Sequence, residues 1–240
     1  MSGLAPIEPN GADQSVTFPS RDGWPLSGVL RRPDAGRAEP TAPPLGAVLV
    51  HGSHHERDTW VYGLSLPDVL AARGIASIRF DIRGRGESRA PRPWRALAPL
   101  ERNAVADDVL AAAALLRDRA GISHGRLVLV GEQDTARHVV AAAATSDEVG
   151  ALVLLSPRLD ATSLGRLAAR TLPTCALVSK EDRRSLRDST AAYLAGADTG
   201  ELHVFSGLGF GATMFMARAF EHADETPLQM IIADWIDRVL

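Results

Sequence analysis

Short runs of four to six apolar residues recur along the chain, and polar or amphipathic segments separate them. Runs that are apolar throughout are typical of strands buried on both faces of a sheet. The stretches between them place apolar residues three and four positions apart, which predicts helices. The strands predicted in this way are 47–50, 76–81, 127–130, 151–155, 175–178 and 202–205.

Helices are predicted at 64–73, 101–119 and 227–239, and a helix is also expected after each of the strands at 127–130, 151–155 and 175–178. Before the first of these elements, Asp22-Gly23 is a turn signal between two strand-like segments, 16–19 and 24–31, and predicts a hairpin. Strands that alternate with helices indicate an α/β fold with a mostly parallel sheet, and the hairpin makes one edge antiparallel.

The chain of 240 residues suits one α/β domain. We expect a loose N-terminal tail at 1–14, because it is rich in proline, glycine and polar residues, and a single domain at 15–240. The short connection between the strands at 151–155 and 175–178 leaves no room for a lid domain.

Composition favours a soluble globular protein, with 45% hydrophobic and 23% charged residues. A net charge of −3 gives no reason to expect nucleic acid or a membrane surface as a partner. The lone Cys175 excludes an intramolecular disulfide, and neither a signal peptide nor a bilayer-spanning run is visible. The expectation is therefore a cytoplasmic protein, and a homodimer stays open.

Polar residues follow several predicted strands at their carboxyl ends, where open α/β sheets bind ligands. This set is more charged than folding requires. Its members are His51, Asp81, Glu132, Gln133, Asp134, Ser156, Arg158, Lys180, Glu181 and Asp182.

Five segments together carry a family resemblance. They are the strand and loop ending in His51-Gly52-Ser53, an R-x-D-x-R-G-x-G-x-S pattern at 79–88, the strand–turn–helix around 131–135, the Ser-Lys-Glu-Asp at 179–182, and the Gly-Leu-Gly-Phe-Gly at 207–211. In this order they resemble the α/β-hydrolase family over nearly the whole chain. The resemblance implies an α/β-hydrolase fold: a mostly parallel sheet of about eight strands with helices on both faces and no cap domain.

The resemblance places the catalytic nucleophile at Gln133, the base at Phe210 and the acid at Asp182. A primary amide does not attack at neutral pH, and a phenyl ring can neither take nor give a proton, so the triad is degenerate and ordinary serine esterase activity is not expected. A register shifted by one would make Asp134 the nucleophile, but it would put the bulky Glu132 where close packing calls for a small residue. The oxyanion-hole amides implied by the resemblance are those of Ser53 and Asp134.

Other polar clusters leave alternatives open. The segment 51–58 is rich in histidine and carboxylate, yet its spacing matches no metal motif, so a pocket-lining loop or a general base at His54 or His55 is favoured. The Gly-x-Gly at 84–86 lacks the third glycine of a dinucleotide fingerprint. Its arginines are expected to form structural salt bridges or to hold a substrate carboxylate, and Arg79 is expected to pair with Asp81. Neither metal nor cofactor is expected.

Three functions follow, each with a small-molecule ligand or substrate. The first is a repurposed pocket for non-hydrolytic acid–base chemistry of lyase, isomerase or cyclase type. The second is a non-catalytic pseudo-hydrolase that binds a small ligand or a protein partner, and the third is residual hydrolysis with an unusual nucleophile. Acid–base groups would come from His54, His55, Glu132, Asp134, Lys180 and Asp182, in a pocket lined by the former nucleophile, base and oxyanion positions Gln133, Phe210, His51 and Ser53.

Overall fold

Eight strands form one mixed sheet in the computed structural model, which describes residues 13–33, 43–196, 198–221 and 224–240. The spatial order is β1-β2-β4-β3-β5-β6-β7-β8. The first two strands pair antiparallel, as do β2 and β4, and the remaining pairs are parallel. The strands are β1 Gln14–Pro19, β2 Pro25–Arg31, β3 Leu45–Val50, β4 Ile75–Phe80, β5 Leu127–Glu132, β6 Val149–Leu155, β7 Thr174–Ser179 and β8 Glu201–Phe205.

Helices follow the parallel strands and cover the sheet. Within the described residues they are α1 Leu66–Ala72, α2 Pro99–Asn103, α3 Val105–Ala120, α4 Ala136–Ala144, α5 Ala161–Arg170, α6 Arg183–Ala195, α7 Thr213–Glu221 and α8 Leu228–Val239. None of the helices in this part of the chain is long and apolar enough to cross a membrane.

The apolar core lies on both faces of the sheet, because successive side chains of a strand point to opposite sides. In β5, Leu129 packs on the face covered by α3, α4, α5 and α6, whereas Val130 packs on the face covered by α1, α7 and α8. Val48 and Leu49 divide in the same way in β3. This two-sided burial explains why the central strands are apolar at most positions.

The structure confirms the predicted fold class: an eight-stranded, mostly parallel sheet with helices on both faces, and no added cap within the described residues. The six predicted central strands are all present, extended or shifted by one or two residues. The predicted hairpin is formed by β1 and β2, and Gly23 turns between them with a φ of 83°.

Three predicted segments differ from the structure. The helix expected at 101–119 is divided into α2 and α3, because Ala104 has a ψ of 0° and caps both. Helix α7 was not predicted, and Met214 and Phe215 within it are buried in the core. The first strand already begins at Gln14, one residue inside the predicted tail, and residues 1–12 of that tail lie outside the described residues.

The loop after β4 is held by buried ion pairs. Arg83 is 1% exposed, and its guanidinium donates to Asp108 at 2.6 Å and to Asp22 at 2.7 Å. The expected pair between Arg79 and Asp81 is wrong. Arg79 instead binds Asp13, and Asp81 turns towards Arg57, at 2.9 Å, and the backbone amide of Glu87, at 3.0 Å. The Asp81 carboxylate thus accepts hydrogen bonds from the loop backbone and from Arg57 rather than from Arg79.

We expect Asp108→Ala to destabilise the protein by about 3 kcal/mol, because it removes the buried partner of a buried guanidinium. Urea unfolding followed by circular dichroism measures this change. Asp118→Ala is the matched control, since it removes an exposed carboxylate paired with Arg117, and it should cost less than about 1 kcal/mol. Equal costs for the two variants would contradict a structural role for the buried pair.

Candidate functional site

The turn between β5 and α4 has a strained backbone. Gln133 has a φ of 47°, in the left-handed region that residues other than glycine rarely adopt. The turn is held on both sides: the Gln133 carbonyl accepts from the backbone amide of Arg158 at 2.9 Å, and the Thr135 hydroxyl lies 2.9 Å from the His51 carbonyl and 2.7 Å from the Glu132 carbonyl. The turn therefore presents Glu132, Gln133 and Asp134 at the carboxyl end of the sheet in a fixed arrangement.

Glu132 is fully buried, and three donors satisfy its carboxylate. Oε2 accepts from the backbone amide of Gly52 at 2.8 Å. Oε1 accepts from the backbone amide of Ala212 at 2.7 Å and lies 2.9 Å from Nδ1 of His55. The carboxylate thereby connects the loop after β3 with the loop after β8.

The loop after β8 approaches Glu132 very closely at Gly211, which has a φ of 57°. A Cβ atom at this position would lie 2.2 Å from Oε1 of Glu132 and 2.7 Å from Nε2 of Gln133. Only glycine allows this contact, so the glycine preserves the hydrogen bond that the next residue, Ala212, donates to the carboxylate.

His55 is the histidine that the structure brings to the strand ends. Its hydrogen bond to Glu132 raises its pKa, and burial opposes this only partly. The ring is 24% exposed, and Nε2 has no partner among the described residues. A histidine that a buried carboxylate orients through one nitrogen, with the other nitrogen free, has the arrangement of a general acid–base group.

Asp134 binds the chain's own Ser53. Its carboxylate accepts from the Ser53 backbone amide at 3.0 Å and from the Ser53 hydroxyl. Burial acts to raise the pKa of Asp134, but these hydrogen bonds outweigh it, and the pKa lies below its ordinary value. The carboxylate is thus ionised at neutral pH and occupies the Ser53 amide. Ser53, His55, Glu132, Gln133 and Asp134 together are called the strand-end site below.

Two of the candidate residues predicted from the sequence have a buried polar atom without a hydrogen-bond partner within the described chain, namely Nε2 of Gln133 and Oδ2 of Asp182. Asp182 caps α6 through its other oxygen, Oδ1, which accepts from the Ser185 amide at 3.1 Å. Asp182 therefore has no salt bridge with an arginine and no hydrogen bond with the Gln133 amide within the described residues. Unpartnered buried donors and acceptors are costly, and a ligand is one way to satisfy them.

A sequence profile of the alpha/beta hydrolase family matches residues 47–238. The chain belongs to the alpha/beta hydrolase family. This confirms, at the level of the family, the resemblance inferred from the sequence motifs. The comparison with curated proteins gave no match.

Solved structures of a dienelactone hydrolase and of esterases are similar to this chain over almost the full length. A dienelactone hydrolase from Anabaena variabilis has a TM-score of 0.73 at 17% identity, covering 95% of this chain and 98% of that one. An esterase from Pyrococcus furiosus has a TM-score of 0.69 at 14% identity, with 100% and 95% covered. An esterase domain from a Rhodothermus marinus protein has a TM-score of 0.67 at 16% identity, with 95% and 98% covered. At these identities the similarity establishes the fold alone.

Other candidate residues of this alpha/beta hydrolase are structural or have no side-chain hydrogen bond to the strand-end site within the described residues. His51 is fully buried: Nδ1 donates to the Gly52 carbonyl at 2.8 Å and Nε2 accepts from the Ile82 amide at 3.2 Å. Burial lowers its pKa, so the ring is neutral and positions the loop. His54 and Lys180 are exposed, and neither side chain has a hydrogen bond within the described residues. Phe210 is 49% exposed.

Two features around the strand-end site were not predicted from the sequence. The Ala212 amide donates to Glu132, and no side-chain pattern signals a backbone donor. A cavity of about 180 Å³ lies beside Asp134 and is lined also by Arg137, Arg158 and Arg184. Arg158 could be expected at this cavity because it follows a predicted strand. The other two arginines lie on helices, and only the fold brings them together.

We expect the pKa of His55 in the folded protein to lie above the ordinary value of 6.5, and Glu132→Gln to lower it. A raised folded-state pKa means that protonated His55 stabilises the fold fully below pH 6.5, and that this contribution disappears as pH rises through the raised pKa. NMR titration of the ring protons measures the pKa, and His55→Gln assigns the signal. A pKa at or below 6.5 in the unmodified protein would contradict the ion pair.

Proposed function

We propose that the strand-end site performs non-hydrolytic acid–base chemistry on a small molecule, with His55 as the proton-transfer group. The observation that carries the proposal is the 2.9 Å contact between Nδ1 of His55 and Oε1 of the fully buried Glu132. It supports a histidine whose tautomer and orientation are set by a carboxylate, on a side chain that is 24% exposed and whose Nε2 has no partner among the described residues.

Two features support chemistry other than acyl transfer. The family resemblance places Gln133 and Phe210 at the nucleophile and base positions, and neither side chain can perform those steps. The Ser53 amide, at the position that would stabilise an oxyanion, already donates to Asp134. An ionised carboxylate on that amide disfavours a developing negative charge there. Relatives of similar fold include a dienelactone hydrolase and esterases, and those activities belong to those proteins.

The proposed roles follow from the available atoms. Nε2 of His55 removes a proton from a carbon next to a carbonyl group. Return of the proton at another position is an isomerase step, whereas departure of a group from the β-carbon, with formation of a carbon–carbon double bond, is a lyase step. Glu132 orients His55 and stabilises its protonated form. Nε2 of Gln133 has no partner and donates a hydrogen bond to the substrate carbonyl, while Oδ2 of Asp182 accepts one from the ligand.

A second function is supported by a separate observation. Glu132 and Asp134 direct their oxygens to donors of the chain itself, and three of the four bonds that join them to Gly52, Ala212 and Ser53 are to backbone amides. Such self-satisfied carboxylates favour a pseudo-hydrolase that binds a small ligand without changing it. Proton transfer to the ligand distinguishes the two functions.

We expect the protein to exchange the α-protons of small carbonyl compounds with solvent deuterium faster than buffer does. A panel of ketones, 2-oxo acids and their methyl esters in D₂O, followed by proton NMR, measures the exchange. His55→Gln should lower the enzymatic rate at least about 100-fold, because it removes the general base. Turnover of aryl esters should stay at background.

His54→Gln is the matched control for this experiment, since it changes the exposed neighbouring histidine and should retain exchange. If exchange is lost in His54→Gln and kept in His55→Gln, the base is His54 and our assignment is wrong. A panel in which the unmodified protein catalyses no exchange would favour the binding function instead.

The role of Asp134 can be tested by rebuilding a nucleophile. Gln133→Ser combined with Phe210→His should react only slowly with a fluorophosphonate probe, because Asp134 still occupies the Ser53 amide. Adding Asp134→Ala frees that amide, and labelling should accelerate about 100-fold, the effect of one oxyanion donor. Labelling followed by mass spectrometry measures the rate, and thermal unfolding checks that the variants are folded. Equal rates would show that Asp134 does not block the amide.

A further inference from the structure

A pocket of about 400 Å³ next to the strand-end site is lined by three arginines and no acidic residue. Its lining residues are Gly84, Arg85, Arg89, Pro93, Trp94 and Arg95. The chain as a whole carries a net charge of −3, so this concentration of positive charge is local and does not reflect a basic protein.

The three arginines have no ion pair among the described residues, unlike the two other arginines of the same segment. Arg83 is paired with Asp108 and Asp22, and Arg92 is paired with Glu101. Arg85, Arg89 and Arg95 have neither a salt bridge nor a side-chain hydrogen bond within the described chain. Two guanidinium groups of this loop are therefore paired with carboxylates, and the three that line the pocket are not paired within the described residues.

Arg85 is the central member of this group. It is half-buried, its Nε is inaccessible and has no partner, and its guanidinium carbon lies 5.8 Å from the centre of the Trp94 ring. Burial lowers the pKa of Arg85, and repulsion from Arg95 and Arg89 lowers it further. Positive charges held this close together repel one another, and a bound anion would reduce that repulsion.

We propose that this arginine pocket binds the oxyanion of a small-molecule ligand, a carboxylate or a phosphate group, through Arg85 and Arg95. Guanidinium groups form charge-assisted, bidentate hydrogen bonds with both kinds of oxyanion. Trp94 closes one side and holds the Arg85 plane in place through a cation–π contact. Arg89 also lines a neighbouring pocket together with Glu56 and Glu87, so its charge acts on both pockets.

The pocket is electrostatically linked to the strand-end site. The negative charge of Asp134 favours the charged form of Arg85. The positive charge of Arg85 acts to lower the pKa of His55, against the larger, opposite effect of Glu132. An anion on Arg85 thus lies within electrostatic reach of the proposed base. The binding of an anion by the arginines does not depend on the proposed function. The further step, that this anion is part of the substrate on which His55 acts, rests on the proposed function.

The test is isothermal titration calorimetry at low ionic strength with three probes: inorganic phosphate, phenyl phosphate and benzoate. We expect millimolar or tighter binding of at least one probe, weakened about 10-fold or more in Arg85→Gln and in Arg95→Gln, because each loses a charge-assisted hydrogen bond. The preference between the phosphates and benzoate identifies which oxyanion the pocket takes. Added sodium chloride should weaken the binding.

Arg92→Gln is the matched control, since it removes the same charge from the same segment but outside the pocket, and it should bind as the unmodified protein does. Arg95 is exposed, so its substitution tests the pocket even where Arg85→Gln reduces folding. His55→Gln should also keep anion binding, which separates this inference from the proposed acid–base function. Equal affinity in all variants, or binding of none of the three probes, would overturn the proposal.

Discussion

The buried carboxylate of Glu132 constrains the whole strand-end site. A carboxylate removed from water is strongly unfavourable unless donors surround it. Its donors come from Gly52 and His55 in the loop after β3 and from Ala212 in the loop after β8. Any displacement of either loop would leave a buried carboxyl group without its hydrogen-bond donors in the protein interior. The position of His55 is therefore a consequence of burying Glu132, as is the need for glycine at position 211.

This constraint also decides which chemistry the site can support. The strained φ at Gln133 places a side chain at the carboxyl end of β5 in the way a nucleophile would be presented, but the side chain is an amide. The carboxylates on either side of it bind protein amides and do not activate an attacking group. The side-chain atoms of the candidate residues that lack a hydrogen-bond partner within the described chain include Nε2 of His55, Nε2 of Gln133 and Oδ2 of Asp182. Such atoms donate, accept or carry a proton, and this is the basis of the proposed acid–base function.

The sequence predicts the sheet well for a physical reason, since strands covered on both faces must be apolar throughout. It predicts the division between α2 and α3 poorly, because Ala104 is a good helix former and the break depends on tertiary packing. The site is predictable only in part. Family motifs bring Gln133 and Asp134 to the strand end, but they do not distinguish two adjacent histidines. His55 reaches Glu132 and His54 does not, and that choice follows from the path of the loop. The Ala212 amide carries no side-chain signal at all.

The same limit applies to the arginines of the loop after β4, where neighbours in sequence have opposite environments. Arg83 is buried with two carboxylates, while Arg85 faces a pocket with none. Gly84 separates them with a φ of 78°, and its carbonyl accepts from the Trp94 amide at 2.8 Å. A Cβ atom there would lie 2.5 Å from that amide nitrogen. The turn sends one guanidinium into the core and the next towards the strand-end site. A single short motif can thus stabilise the fold with one arginine and leave another free for a ligand, and only the backbone geometry at the glycine shows which is which.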